Sequence, residues 1–286
     1  LRQRHLNSRA FFLLCFLFLV EGIYSQTPIE VGRIDLKKNI LSTEFQPDRF
    51  VKVPNGLIFL DSNRRRIGRW HSDSLYIEGG FGSRRSGLFD PVDIVSNQLD
   101  IYILDRSESK IDRWDTQLNY IHAQPISLEG IPLYPEVFSI DQQGRMAVYS
   151  SETQEIYLTD RSSNSLNPFI DLNRISHTND CIQAMGFGYR DQLAILFDCN
   201  NEVQLYSRSG RLERRFSVAV DSPIEIIQIR EKWLVINGGG HMQVLGEDPM
   251  LLPLNGLTIL DAISDGEFLQ ILTKTHLILF DIHAQP

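Results

Sequence analysis

GGFGSRRSGLFDPVDIVSNQLDIYILDRSESKIDRWDTQLNYI, residues 79–121, decides the fold. Turn-forming residues divide it into four short segments. Residues 92–96 are apolar and β-branched, 101–104 form a second apolar run ending in Asp105, 111–114 a third, and 119–121 begin a fourth. Short strands joined by a few turn residues read as hairpins, and hairpins in succession make a small antiparallel meander. One such sheet can bury only one face and is marginal alone. The stretch therefore predicts copies of itself.

A copy lies directly upstream. Residues 50–53 lead through Pro54-Asn55-Gly56 into 57–60, which end in Asp61; a polar tip then leads to 67–70. Ile67-x-Arg69-Trp70 and Ile111-x-Arg113-Trp114 are the same element 44 residues apart. Four weaker copies follow. Across all six, the second strands end at Asp61, Asp105, Ser150, Asp198, Asn237 and Thr273, with spacings of 44, 45, 48, 39 and 36. A period near 43 with four strands per unit predicts a β-propeller. The sixth copy ends with its third strand, six residues before the last. The alternating segment 29–34 precedes the first blade and has no other partner, so it is expected to close the ring as the outer strand of the last blade, which removes an open edge. The expected fold is all-β: a six-bladed β-propeller of four-stranded antiparallel blades over residues 26–286, one domain. Outside the leader at 1–25, no sustained helical apolar spacing occurs.

Gly80-Phe81-Gly82, then residues 87–94 (GLFDPVDI), then 101–106 (IYILDR) and Ile111 resemble one NHL repeat. Blade 1 is similar through Phe45-Gln46-Pro47 and Ile58-Phe59-Leu60-Asp61. The resemblance is carried by blades 1 and 2; the other four blades keep the strand pattern and lose the Gly-x-Phe-x-x-Pro lead-in. It implies the propeller fold. NHL-type propellers are mostly ligand or protein scaffolds, and a minority are enzymes with metal ions in the central channel.

Residues 1–25 stand apart. Arg2, Arg4 and Arg9 precede an unbroken apolar run at 10–20, and a small residue stands at Ser25. The run is too short for a bilayer, which takes about 20 residues, and reads as a cleaved secretory signal; the alternative is an uncleaved anchor. Cys15 is followed by Phe16 and Leu17 rather than small residues, so no lipid anchor is read there. Cleavage removes three Arg and one Glu and takes the net charge from −8 to −10. The protein is expected to be exported, periplasmic or extracellular, with no membrane span after cleavage. An acidic exported domain is a poor match to nucleic acid, which wants a basic face. Arg64-Arg65-Arg66 and Arg214-Arg215 are expected at solvated hairpin tips.

No phosphate-binding loop, nucleophile elbow or His-Glu-x-x-His pair is present. Gly238-Gly239-Gly240 falls between two strands and predicts a tight tip. His71, His122, His177, His241, His276 and His283 have no second His at ligand spacing. Asp61, Asp105 and Asp198 invite a metal-ring reading, but Asp at a strand end caps the turn that follows. Trp70 and Trp114 are expected between neighbouring blades.

The two cysteines after the leader flank one hairpin. With a turn near Arg190, Cys181 and Cys199 face one another, and export permits a cross-strand disulfide. Twelve residues before the strand ends of blades 1, 2, 5 and 6 stand Arg49, Asp93, Glu225 and Asp261; the matching places in blades 3 and 4 hold Glu136 and Gln183. The starts of six inner strands are expected to gather these six around one channel mouth as a ligand site. Asp93, Glu136, Glu225 and Asp261 offer hard oxygen ligands for Ca²⁺ or Mg²⁺ or for a cationic group; the plainer alternative is a solvated polar rim. The function this suggests is a non-enzymatic binding or scaffolding propeller with a protein or small-molecule partner. The alternative is a metal-dependent hydrolase or lyase with a divalent ion in the channel.

Overall fold

The computed structural model describes residues 28–282 except 43, 83, 98, 160–164 and 175–180. The leader (1–25), His177 and His283 lie outside the described residues.

Six four-stranded antiparallel sheets form the ring. Blade 1 runs through Arg49–Val53, Gly56–Asp61, Arg66–His71 and Ser74–Gly79; blade 2 through Pro91–Ser96, Asp100–Asp105, Lys110–Asp115 and Tyr120–Pro125. Blade 3 has Pro135–Ile140, Met146–Ser150, Glu155–Thr159 and Asn167–Asp171, and blade 4 has Ile182–Phe187, Leu193–Phe197, Glu202–Tyr206 and Leu212–Ser217. Blade 5 has Pro223–Ile229, Lys232–Asn237, His241–Val244 and Met250–Leu251. Blade 6 takes Ile259–Asp265, Phe268–Thr273 and His276–Asp281 from the end of the chain and Ile29–Asp35 from its beginning. Ile29 pairs with Asp281 and Asp35 with His276, so the N-terminal strand closes the ring as expected.

Burial explains the strand signatures. Second strands have both faces covered by neighbouring blades, and Asp100–Asp105 is buried at every position. Their sequences are accordingly near-continuous apolar runs rather than alternating ones. Fourth strands face solvent, as in Leu212–Ser217. Arg214 and Arg215 lie within that strand and not at a tip. The core is six separate clusters, one between each pair of neighbouring blades. Trp114 is buried between blades 1 and 2, and Trp70 packs in the cluster between blades 6 and 1.

Asp61 and Asp105 are fully buried and do more than cap the next turn. Asp105 accepts the amides of Phe89 (2.6 Å) and Asp90 (3.0 Å), and Asp61 accepts those of Gln46 (2.6 Å) and Arg64 (3.0 Å). Each carboxylate ties the connector entering its blade to the end of the second strand. Asp198 does not share this role: the strand ends at Phe197, and Asp198 is exposed. Gly238-Gly239-Gly240 is a tight tip in which the Asn237 side chain accepts the amides of Gly239 and His241, each at 3.0 Å.

Cys181 and Cys199 form a disulfide, with Cα atoms 5.6 Å apart. They are not directly opposed. A β-bulge between Ile182 and Ala184 shifts the register, and the Asp198 amide, not that of Cys199, bonds to the Cys181 carbonyl. The bridge therefore reaches one residue past the backbone partner. Replacing both cysteines by Ser is expected to lower stability by about 3 kcal/mol, the loop entropy for a closure of this length. Urea unfolding of the Ser pair checks this, and an unchanged midpoint would refute it.

Candidate functional site

The strand register sorts the six proposed site residues. Asp93 pairs with Leu104, Glu225 with Ile236, Asp261 with Leu272 and Arg49 with Leu60. In each case the partner is the residue just before the strand end, so these four are equivalent. In blades 3 and 4 the equivalent residues are Val137, paired with Tyr149, and Ala184, paired with Leu196. Glu136 and Gln183 are the extra residue of a β-bulge, one place earlier. A one-residue slip turns a side chain to the other face. Glu136 accordingly lines a different cavity, where it accepts the Ser151 hydroxyl at 2.8 Å, and Gln183 is exposed.

The level that remains is asymmetric. Blades 5, 6, 1 and 2 contribute Glu225, Asp261, Arg49 and Asp93, and blades 3 and 4 contribute Val137 and Ala184. Asp261 is 6% exposed and accepts the amides of Phe50 (2.8 Å) and Ala262 (2.9 Å). Asp93 accepts its neighbour Ile94 at 2.8 Å, and Glu225 accepts Ile226 at 3.1 Å. Arg49 donates Nη1 to the carbonyls of Leu260 and Asp48, both at 3.1 Å.

Asp93, Glu225 and Asp261 line a cavity of about 850 Å³. Its other walls run along the inner strands to their far ends, at Gln142, Arg190, Gln228 and Ser264. The carboxylates thus lie at the floor of the channel. The opening is on the face of the first hairpins, opposite the mouth inferred from the sequence. A second cavity of about 460 Å³ sits at the strand-start end and is lined by Arg49, Asp48, Asp90, Arg106 and Glu136. Arg49 lies between the two cavities, in the field of all three floor carboxylates.

Burial dominates the protonation of this floor. It pushes Asp93 up to about 7, against the pull of Arg49. It raises Glu225 well above the usual range, and the charges of Asp261 and Asp93 add to the effect. Burial also raises Asp261 to about 6, with Arg49 and two backbone amides opposing it. Burial works against the Arg49 charge, but Asp261, Asp93, Asp48 and Glu225 outweigh it, so Arg49 stays firmly protonated. Among the described residues no three His, Cys, Asp or Glu side chains converge closely enough to hold one metal ion. The carboxylates share an electrostatic field without forming a cation cage.

These shifts carry a testable sign. In the native state Asp93 binds a proton between about pH 4 and pH 7 that the unfolded chain has released. Stability contributed by this group therefore falls as pH rises through that window. Relative to wild type, Asp93→Asn is expected to gain about 1.4 kcal/mol between pH 6 and pH 8, one proton over the titration range. Melting curves of both proteins at the two pH values check it; a difference that stays constant would sink the assignment.

Part of the cavity wall was not marked from the sequence. Trp233 lines it, donates Nε1 to Gln192 at 3.1 Å, and packs on Gly186 and Gly188, where a Cβ would strike the indole. The available signal was glycine inside an inner strand, which marks a close approach.

The architecture defines the protein class as a six-bladed β-propeller. No family model matches the chain, and no curated protein matches it in sequence. Solved structures do match. One is a catalytically inactive virginiamycin B lyase from Staphylococcus aureus with quinupristin: TM-score 0.61, 13% identity, 81% of this chain and 79% of that one. Another is the extracellular domain of a one-component system from B. thetaiotaomicron: TM-score 0.60, 9% identity, 87% of this chain and 42% of that one. A third is the WD40 repeat domain of RRP9: TM-score 0.62, 12% identity, 86% of this chain and 78% of that one. These likenesses concern the fold. They span lyase and WD40 propellers and do not single out NHL repeats.

Proposed function

We propose that the protein is an exported, non-enzymatic, NHL-like binding propeller that holds the cationic group of a small molecule or peptide at the floor of its channel. One observation carries this reading: three carboxylates share the floor of an open cavity of about 850 Å³, and Arg49, which lines the neighbouring cavity, is the cation in their field. An apolar half-wall with Phe138, Met185 and Trp233 provides burial for the rest of a ligand. An incoming cation draws Asp93 and Glu225 into their ionised forms and relieves their mutual repulsion. Export is supported by the leader-like stretch at 1–25 and by the disulfide. No helix among the described residues is long and apolar enough to cross a membrane.

The test is a melting series with a panel of probes: spermidine, agmatine, lysine methyl ester, choline, Ca²⁺ and Mg²⁺. A ligand present at 100 times its dissociation constant stabilises the native state by about 2.7 kcal/mol. A cationic organic probe is expected to raise the midpoint of wild type and not that of Asp93→Asn/Glu225→Gln. Equal shifts in both proteins remove the floor as the site. A stoichiometric divalent ion in the purified protein would favour the metal-dependent hydrolase or lyase instead.

A further inference from the structure

The strand-start face of blades 1 and 2 carries a feature that the channel does not use. Phe81 is 71% exposed, the most of any large apolar side chain described. A single exposed apolar residue is ordinary, but this one is held in place. Its ring meets Phe89 edge-on at 5.3 Å, and the Arg65 guanidinium lies 5.0 Å from its centroid. Arg65 is itself anchored, donating Nε to the Phe89 carbonyl at 2.6 Å. The flanking Gly80 and Gly82 have φ of 115° and 143°, conformations that L side chains rarely adopt. The backbone is thus shaped to present the ring outward instead of folding it in.

Charge on this face is unbalanced. Arg64 pairs with Asp61, Arg66 with Glu44 and Arg106 with Asp90. Arg65, Arg84 and Arg85 have no acidic partner among the described residues, and Arg84 and Arg85 are exposed. The Arg65 guanidinium stands over the exposed ring, the exposed Arg84 and Arg85 follow in the same loop with Arg85 5.7 Å from the Tyr120 centroid, and the chain as a whole carries a net charge of −8. Aromatic and Arg side chains together dominate the binding energy of protein interfaces.

We propose that this face docks an acidic segment of a partner protein, with one aromatic or aliphatic side chain laid on the Phe81 ring. Charge complementarity selects the occupant. Arg65, Arg84 and Arg85 sit in two short neighbouring segments, while the chain as a whole is acidic and repels a long polyanion, so a short acidic segment fits where nucleic acid does not. The held ring supplies the apolar anchor. The site is independent of the channel floor.

Fluorescence anisotropy with a labelled poly-Glu peptide carrying one central Trp tests this. The probe is expected to bind wild type and to weaken at least about tenfold with Arg84→Glu/Arg85→Glu and with Phe81→Ser, with weaker binding at higher salt. All three side chains are exposed, so unchanged melting curves confirm that the variants fold. A Lys version of the peptide is expected not to bind. The proposal is overturned if the poly-Glu probe does not bind or if both variants bind as wild type does. It is also overturned if single-stranded oligo-dT or phosphatidylserine vesicles bind this face more tightly than the peptide.

Discussion

Arg49→Met is expected to cost about 3–5 kcal/mol at pH 8, the range for removing one partner from a buried charge group. At pH 5 the cost is expected to be much smaller. Arg49 is the one cation at the level of Asp93, Glu225 and Asp261. Without it, the carboxylates at pH 8 must either stay ionised together or take up protons from a dilute supply, and both raise the native free energy. At pH 5 the floor is already largely protonated, because Asp93 titrates near 7, Asp261 near 6 and Glu225 well above its usual range. What is lost there is the pair of bonds from Nη1 to the Leu260 and Asp48 carbonyls, at about 0.5–1.5 kcal/mol each, and more for a charged donor. Arg49→Lys keeps the charge and is expected to fall between. Urea unfolding of the three proteins at both pH values decides the matter. A penalty for Met as large at pH 5 as at pH 8 would show that Arg49 acts by packing and not by charge.

Removing the closing strand is expected to cost still more. A chain beginning at Leu36 loses the six register pairs between Ile29–Asp35 and His276–Asp281. At about 0.5–1.5 kcal/mol per hydrogen bond, the direct loss is several kcal/mol. The uncovered edge matters as much. The segment HLILFD is apolar, with Leu277 and Phe280 buried, and an unpaired apolar edge is a template for another chain. Leu36 and Ile40, which begin and follow a one-turn helix at Leu36–Asn39 and pack with Phe45 and Phe59, lose their lead-in, including the N-cap in which Asp35 accepts the Lys37 amide at 2.9 Å. The truncated chain is expected to melt lower than any single-site variant and to self-associate in size-exclusion chromatography with light scattering. A monomer with the wild-type midpoint would mean that the ring is closed by core contacts alone.

How much of this was legible before the fold was known depended on range. Blade number, strand order and closure were readable because they follow from local chemistry: Pro54-Asn55-Gly56 makes a turn, residues 101–104 make a strand buried on both faces, and 29–34 had no other partner. The inter-blade places of Trp70 and Trp114 and the bridge between Cys181 and Cys199 came from the same local pattern. Only the assembled sheets decided the site. The inner strands of blades 2 to 6 all carry a β-bulge that has no sequence mark, and in blades 3 and 4, where the first hairpin is longer, the place just before the apolar run is the bulged residue itself, so Glu136 and Gln183 fall one step before Val137 and Ala184. Because side chains alternate across a strand, that step moved both residues off the floor. Likewise the apolar run of blade 4 continues into Asp198 in sequence, but the ladder ends at Phe197. The depth of Asp93, the side on which the channel opens and the placing of Arg49 among three carboxylates depend on six strands meeting at an axis. Residues from blade 1 and blade 6, such as Arg49 and Leu260, stand 211 apart in the chain and touch only once the ring has closed. Local propensity fixes each blade; the protonation of the floor is set by long-range burial and charge, which no single stretch of sequence contains.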